Sequence, residues 1–267
     1  MERKDIEPLL NELVPIIKSI ESVEGISLGG SFSRGLGDRY ADVDLIAYCQ
    51  TTPSLEDRKQ KIGRLGAKTL VSDKRIDMFW YGRRKVDVNY FTLSELERDI
   101  DINPKVTSDT VSYVLHAQIL DEKDSVITRL KKRAESKMSI INGAEAKTML
   151  MQLYSELDKV DVAFKRKDII YLSNRLEKSK EKLIKLIYML NHYPFISLKW
   201  AYREMERFGA IPKDLIKRLE KFSQLGLDQY VEKVGLLKEI LIETEELGRK
   251  KFGTNFEVVK IKRLEGE

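Results

Sequence analysis

The chain has 267 residues, enough for one large domain or for two domains of ordinary size with a substantial core. Apolar residues make up 42% and charged residues 34%, which excludes a disordered chain, and no long stretch is free enough of charge to cross a bilayer. Lysine and arginine exceed aspartate and glutamate, 48 against 43, so the chain is mildly basic. That surplus is compatible with an anionic ligand such as a nucleotide or RNA, and equally with a solvated surface that has no such partner.

The single cysteine, Cys49, excludes an intramolecular disulfide and a multi-cysteine metal site. It follows the apolar run Leu45–Tyr48, which favours a buried thiol over a nucleophile. His116 and His192 are too few and too isolated for a histidine metal site. Residues 1–5 lack the apolar core of a secretion signal, so a cytoplasmic location without a membrane partner is the default expectation.

The first half of the chain predicts a mixed α/β arrangement. Residues 6–20 carry apolar side chains at helical spacing and predict an amphipathic helix, which Pro15 should kink or interrupt. Several short apolar runs bounded by turn residues then predict strands. These strands are Ile26–Leu28, Val43–Tyr48, Arg75–Tyr81, Lys85–Phe91 and, with a weaker pattern, Val114–Leu120.

The second half is different, because from about Ala144 the apolar period becomes 3.6 residues and stays there. This pattern predicts helices around Met149–Val160, from Asp168 to about Asn191, and over Leu227–Leu247, with shorter helices between the last two. A weak alternation at 256–261 predicts one added strand. A helical bundle is the expected arrangement.

The segment between Lys131 and Gly143 is polar and charged, and we place a domain boundary there. The sequence therefore predicts an α+β protein. A small mixed-sheet domain over 1–137 precedes an all-α helical bundle over 138–267.

A glycine-rich turn follows the first predicted strand, in the stretch Leu28-Gly29-Gly30-Ser31. A glycine pair lets the backbone turn sharply and approach a ligand closely. If a helix begins at Ser31, its free backbone N–H groups point at the turn, and phosphate is the ligand that such groups bind best. Gly30 and Ser31 would then hold the terminal phosphates of a nucleoside triphosphate, and Arg34 could add charge. Taken alone, such a stretch is more often an ordinary turn.

Asp42 and Asp44 strengthen the phosphate interpretation. Residues two apart in a strand point to the same face, so both carboxylates project together. Two like charges this close are costly unless a cation lies between them, and Mg²⁺ prefers carboxylate and phosphate oxygens. A phosphate-binding turn followed by paired carboxylates is what metal-assisted nucleotidyl transfer requires. The alternative is a solvated Asp-x-Asp at a strand end.

The Gly30-Ser31 pair, followed by Asp42-x-Asp44 in an apolar strand, resembles the polymerase-β-type nucleotidyltransferase superfamily. The resemblance covers about residues 25–91 and implies a small mixed sheet flanked by helices. The helical second half is similar to the bundle appended in the antibiotic adenylyltransferase-like branch, whose acceptors include aminoglycosides and lincosamides. One departure is Ala41, where many members carry serine, and this costs a hydrogen bond but no metal ligand.

The resemblance also implies a third carboxylate on a later strand. Asp87 stands in the expected place after the turn at Gly82, and it would share a sheet face with Lys85 and Asn89. Asp77 is the competitor for this role. The alternating valines around Asp87 match the family pattern better.

A chemistry follows from the resemblance. It implies two Mg²⁺ ions held by Asp42, Asp44 and Asp87, and a nucleoside triphosphate, expected to be ATP, as the nucleotide substrate. Lys199, beside Trp200, lies in a segment similar to one that faces the nucleotide in such enzymes, and it would touch the triphosphate. A surface lysine beside a core tryptophan is the commoner arrangement. The sequence does not single out a general base.

The expected acceptor is the hydroxyl of a small molecule, which would receive AMP. The same chemistry on a macromolecule, an RNA 3′ end or a protein side chain, is the first alternative, although the modest net charge disfavours nucleic acid. A non-catalytic module that binds a nucleotide or a partner protein is the second, and three clustered carboxylates argue against it. An exposed apolar helix face in the second half would favour a homodimer.

Overall fold

The computed structural model describes residues 5–102, 109–138, 143–253 and 256, without the side chains of residues 69, 70 and 109. The chain forms two compact units, residues 1–139 and residues 140–267. A mixed sheet in the first unit and helices in the second confirm the predicted α+β class.

The first unit is built on one six-stranded sheet in the order β3-β4-β5-β2-β1-β6. Strands β2 and β5 are parallel, and the other neighbouring pairs are antiparallel. The elements are α1 Glu7–Lys18, β1 Val23–Leu28, α2 Gly30–Ser33, β2 Val43–Cys49, α3 Leu55–Gly63, β3 Lys68–Asp73, β4 Ile76–Tyr81, β5 Arg84–Thr92, α4 Leu93–Ile102, α5 Asp109–His116, β6 Gln118–Glu122 and α6 Val126–Met138.

Helix α1 buries the face that its apolar spacing predicts, through Leu10, Leu13 and Ile17. The expected interruption at Pro15 is wrong, because the helix continues through that residue to Lys18. Proline removes only one backbone donor. Burial of the apolar face on the sheet stabilises the helix enough to tolerate that loss.

The apolar core covers one face of the sheet. Val43 and Leu45 of β2 and Val86 and Val88 of β5 lie fully buried in a cluster with the apolar side chains of α1. Successive side chains of a strand point to opposite faces. The residues between these four therefore face the other side of the sheet.

The strand predicted at Val114–Leu120 is partly wrong. Helix α5 continues to His116, and strand β6 begins only at Gln118. A short apolar run cannot distinguish a buried helix end from a strand by periodicity alone. The turn between the two elements divides the run.

The one cysteine, at the end of β2, is buried as the sequence predicts. Burial raises the pKa of the Cys49 thiol to about 12. A thiol that stays protonated is a weak nucleophile, so Cys49 is a packing residue.

A buried ion pair fastens α3 to the sheet on the core face. Arg58 and Asp77 are almost fully buried, and Arg58 Nη1 lies 3.3 Å from Asp77 Oδ2. The Arg58 guanidinium also stacks 4.7 Å from the centre of the Tyr90 ring and donates to the backbone carbonyl oxygen of Asp73. Burial and then the neighbouring Asp77 carboxylate raise the pKa of Tyr90 well above its usual value.

The second unit is helical throughout its described elements. Helix α8 begins after Asp168, whose carboxylate accepts from the Tyr171 N–H at 3.0 Å, and it ends at the cap residue Asn191. Both boundaries match the prediction. Its helices are α7 Gly143–Lys165, α8 Ile169–Leu190, α9 Ala201–Met205, α10 Leu215–Gln224 and α11 Tyr230–Phe252.

Aromatic side chains fill the end of this unit. Tyr188 is fully buried, packs edge-on against Tyr193, Phe195 and Phe208, and donates its hydroxyl hydrogen to Glu204 at 2.6 Å. Tyr188 is therefore a core residue of the unit.

The remaining predictions about the second half have mixed outcomes. The strand predicted at 256–261 lies outside the described residues except for Phe256. Some apolar side chains stay exposed, Ile170 most of all, but dimerisation remains a prediction. Within the described ranges, every helix is too short or too polar to cross a membrane.

We expect Arg58→Met to lower the free energy of unfolding by about 3–5 kcal/mol, because it leaves the Asp77 carboxylate buried without a counter-charge. Changing Asp77→Leu in the same chain should recover most of that loss. Urea unfolding followed by circular dichroism measures both. Arg75→Met, which breaks the partly exposed pair with Glu95, is the matched control and should cost at most about 1 kcal/mol. Equal losses for the two arginine variants would contradict the assignment.

Candidate active site

The turn after β1 brings the backbone of Gly30 into contact with the Asp44 side chain. The Gly29 N–H donates to the Asp44 carbonyl oxygen at 2.8 Å, and Gly30 has a φ of +60°. A Cβ on Gly30 would lie 1.7 Å from Asp44 Oδ2 and 3.0 Å from Asp44 Cβ. Only glycine meets both demands, so the turn and Asp44 are built against each other.

The two other predicted phosphate contacts have defined places in this turn. Ser31 is 5% exposed, and its carbonyl oxygen accepts from the Leu36 N–H at 2.9 Å. Arg34 Nε donates to the Gly30 carbonyl oxygen at 3.0 Å. In this structure Arg34 thus braces the glycine turn. Phosphate binding by Gly30, Ser31 and Arg34 remains a prediction.

The three predicted aspartates lie on one face of the sheet. Asp44 and Asp87 are register partners on the parallel strands β2 and β5. Asp42 lies two residues before Asp44 and so projects to the same side. A single side chain, Lys85, contacts both Asp42 and Asp87. The Asp-x-Asp spacing and the strand register together place all three carboxylates on this face.

Lys85 joins two of the three carboxylates. Its Nζ donates to Asp87 Oδ2 at 2.8 Å and to Asp42 Oδ2 at 3.1 Å. Burial alone would lower the pKa of Lys85, but the hydrogen bonds to Asp87 and Asp42 outweigh it and the pKa is raised. Alternation along the strand predicts that Lys85 shares the face of Asp87. It does not predict this bridge.

Arg84 holds the segment that leads to the first aspartate. Its Nη1 donates to the carbonyl oxygens of Asp38, Arg39 and Ala41, at 3.3, 3.1 and 3.4 Å. These bonds tie the segment before Asp42 to the start of β5. The sequence alone gives no sign of this positioning role for Arg84.

The competitor for the third carboxylate lies elsewhere. Asp77 pairs in register with Val88, so its side chain points to the core face, where Arg58 neutralises it. Asp87 points to the opposite face, with Asp44. The structure thus separates the two candidates by a full sheet thickness.

The nucleotidyltransferase domain family matches residues 10–145, just over half of the chain. The chain belongs to this family. The predicted superfamily and enzyme class, a nucleotidyltransferase, are thereby confirmed. The antibiotic-modifying branch is not part of that finding.

A nucleotidyltransferase-like protein from Exiguobacterium sibiricum 255-15, solved by crystallography at 1.90 Å resolution, aligns with 15% sequence identity and a TM-score of 0.42. The alignment covers 94% of this chain and 76% of that protein. No curated protein shows significant sequence similarity to this nucleotidyltransferase.

Members of the nucleotidyltransferase family generally use a nucleoside triphosphate and a divalent metal ion. Among the described residues, no three histidine, cysteine or carboxylate side chains are arranged to hold a metal ion as the structure stands. The Lys85 ammonium lies where Asp42 and Asp87 converge. Asp87 Oδ1 is buried and makes no hydrogen bond. Asp42 and Asp87 thus share one cation, and Asp87 keeps a second oxygen without a partner. Carboxylate oxygens of this kind are ligands that suit Mg²⁺.

Lys199 belongs to the second unit, where it is exposed just before Trp200. Its predicted contact with the triphosphate remains a prediction. His116 and His192 also lie in different units, at the end of α5 and just after α8.

A separate cavity of about 410 Å³ lies between α4 and α6 of this nucleotidyltransferase. Arg133 and Lys137 both pair with Asp101 at its edge, and Leu130 contributes an apolar surface. Its lining includes none of the predicted site residues.

We expect Gly30→Ala to destabilise the protein by about 1–3 kcal/mol more than Gly35→Ala. Both glycines have positive φ, so the backbone strain of about 1–2 kcal/mol is common to both variants. A Cβ on Gly35 meets no atom within 4 Å, whereas one on Gly30 must displace Asp44. Urea unfolding of the two variants checks this. Equal losses would show that Asp44 is not packed on the turn.

Proposed function

We propose that the chain transfers AMP from ATP to a hydroxyl group of a small-molecule acceptor, with two Mg²⁺ ions held by Asp42, Asp44 and Asp87. The observation that carries this proposal is the placement of three carboxylates on one sheet face, two of them in register on neighbouring parallel strands. Asp44, one of these two, also lies directly against the Gly30 turn. The third, Asp42, is joined to Asp87 through Lys85.

Each residue has a defined task in this proposal. The backbone amides at Gly30 and Ser31 bind the terminal phosphates, and Arg34 keeps the turn in shape through its bond to the Gly30 carbonyl oxygen. Asp42, Asp44 and Asp87 hold the metal ions. When bound, these ions polarise the acceptor hydroxyl and neutralise charge on the leaving pyrophosphate. Positioning and electrostatics then supply most of the catalysis.

Three ion pairs in the first unit favour a small acceptor over RNA at the surfaces where they lie. Lys18 pairs with Asp121, and Arg75 pairs with Glu95. Arg133 pairs with Asp101 in the same way. Cations that are already neutralised contribute little to a phosphate-binding face, because such binding depends on releasing counterions from the nucleic acid.

We expect Asp42→Asn and Asp87→Asn each to lower turnover by at least about a hundredfold, because removing one well-placed electrostatic group from an active site costs that much or more. The assay is magnesium-dependent pyrophosphate release with each of the four nucleoside triphosphates. Aminoglycosides, lincosamides and short tRNA ends serve as the acceptor panel.

Asp101→Asn is the matched control, since Asp101 is a partly exposed carboxylate that pairs with Arg133 at a cavity lined by none of the three aspartates. It should keep wild-type turnover. An Asp42 or Asp87 variant with near-normal activity would remove the assignment. Metal-dependent nucleotide binding without release, lost in the variants, would mean that the acceptor is missing from the panel. Absence of nucleotide binding would favour the non-catalytic module.

An RNA acceptor would give a different signature. If tRNA ends are the substrate, the logarithm of the binding constant should fall steeply and linearly with the logarithm of the salt concentration. We expect a shallow dependence for the true acceptor, measured as the Michaelis constant between low and physiological salt. A steep slope would replace the small-molecule proposal with the macromolecular one.

A further inference from the structure

We propose that Lys85 is a built-in counter-cation that holds Asp42 and Asp87 together until a divalent metal ion displaces its ammonium group. The inference rests on the proposed function, since it takes those aspartates as metal ligands. It adds a positioning residue that controls how readily the metal binds.

The position of Lys85 follows from the strand register. Val43 of β2 is the partner of Val86 in β5, so Lys85, one residue before Val86, comes level with Asp42, one residue before Val43. Asp87 lies two residues further along β5 and projects to the same face. The lysine therefore lies between an aspartate on its own strand and one at the start of the neighbouring strand. Its distances of 2.8 and 3.1 Å to the two carboxylates agree with this placement.

Charge explains why the ammonium would yield to a metal. Asp42 and Asp87 carry two negative charges, and Lys85 supplies one positive charge, so the pair keeps one negative charge. A divalent ion would neutralise both carboxylates. It would also give a partner to Asp87 Oδ1, which is buried without a hydrogen bond. An unsatisfied buried oxygen is costly, and the exchange removes that cost.

The chemistry of lysine suits a displaceable group. Its ammonium is a point charge on a flexible four-carbon stem, whereas arginine grips a carboxylate with a rigid, bidentate fork. The side chains of Lys85 and Asp42 are 25% and 39% exposed. Water can therefore reach the ion pair and solvate the ammonium as it leaves. The fully buried pair between Arg58 and Asp77 has neither property.

The test measures Mn²⁺ binding by isothermal titration calorimetry to the full-length, chelator-treated protein, together with the melting temperature with and without Mn²⁺. Lys85→Met should bind Mn²⁺ about tenfold more tightly than wild type, the equivalent of two partly exposed ion pairs that no longer need breaking. Without metal it should melt at a lower temperature, because the two carboxylates then repel each other. Added Mn²⁺ should restore most of that loss.

Two variants serve as controls. Lys85→Arg should keep the wild-type melting temperature and bind Mn²⁺ more weakly, because its fork holds the carboxylates more firmly. Lys18→Met breaks a pair with Asp121 on strand β6 of the same sheet and should leave Mn²⁺ affinity unchanged. If Lys85→Met does not fold, Lys85→Arg decides the matter, and wild-type or tighter Mn²⁺ binding by that variant would overturn the proposal.

The outcomes separate this inference from the proposed function. Wild-type or weaker Mn²⁺ affinity in Lys85→Met, with binding abolished by Asp87→Asn, would make Lys85 a purely structural residue and leave the metal site in place. Absence of Mn²⁺ binding in both wild type and Lys85→Met would overturn both proposals. Tighter binding in Lys85→Met and weaker binding in Lys85→Arg would support both.

Discussion

The parallel pairing of β2 with β5 is the constraint on which the first unit depends. Parallel neighbours cannot be joined by a tight turn and need a crossover, which here consists of α3, β3 and β4. The register buries valines of both strands in one core and sets Asp44 beside Asp87 on the opposite face. A slip of one residue would turn the carboxylates into the core. Burial of apolar side chains therefore also assembles the candidate active site.

Adjacent strands of this sheet handle buried negative charge in two different ways. Asp77 on β4 is enclosed with Arg58, and both side chains are sealed from water. Asp87 on β5 shares the partly exposed Lys85 with Asp42, and its Oδ1 makes no hydrogen bond. The Arg58–Asp77 pair is a fixed support for the sheet, because breaking a buried pair leaves a buried charge without a partner. The shared Lys85 leaves room for one cation to replace another.

Much of the fold could be predicted because its patterns are local. Helix α8 follows from a capping aspartate and a long apolar period, and β2 and β5 follow from apolar runs that meet turn residues. Strand β3, over Lys68–Asp73, was not predicted. Its sequence is polar at both ends and carries no clear alternation. Helix α4, Leu93–Ile102, was also missed, although Leu93, Leu96 and Ile100 recur at helical spacing.

The candidate site was predictable only in part, for a different reason. Spacing along the chain places Asp42 with Asp44, and a resemblance supplies Asp87. The Lys85 bridge depends on which strand lies beside which, and that is a property of the assembled sheet. The role of Arg84 is hidden in the same way, because its partners are backbone carbonyl oxygens more than 40 residues away in sequence.

The buried cysteine gives this protein an intrinsic probe of unfolding. Cys49 is the chain's one thiol and lies at the end of β2, fully buried and with its pKa raised to about 12. A thiol-specific reagent can react with it only when that strand becomes exposed to solvent. Because the second unit has no cysteine, the labelling rate reports opening of the sheet alone. The stability of the unit that carries the carboxylates can thus be followed in the intact chain without introducing a label.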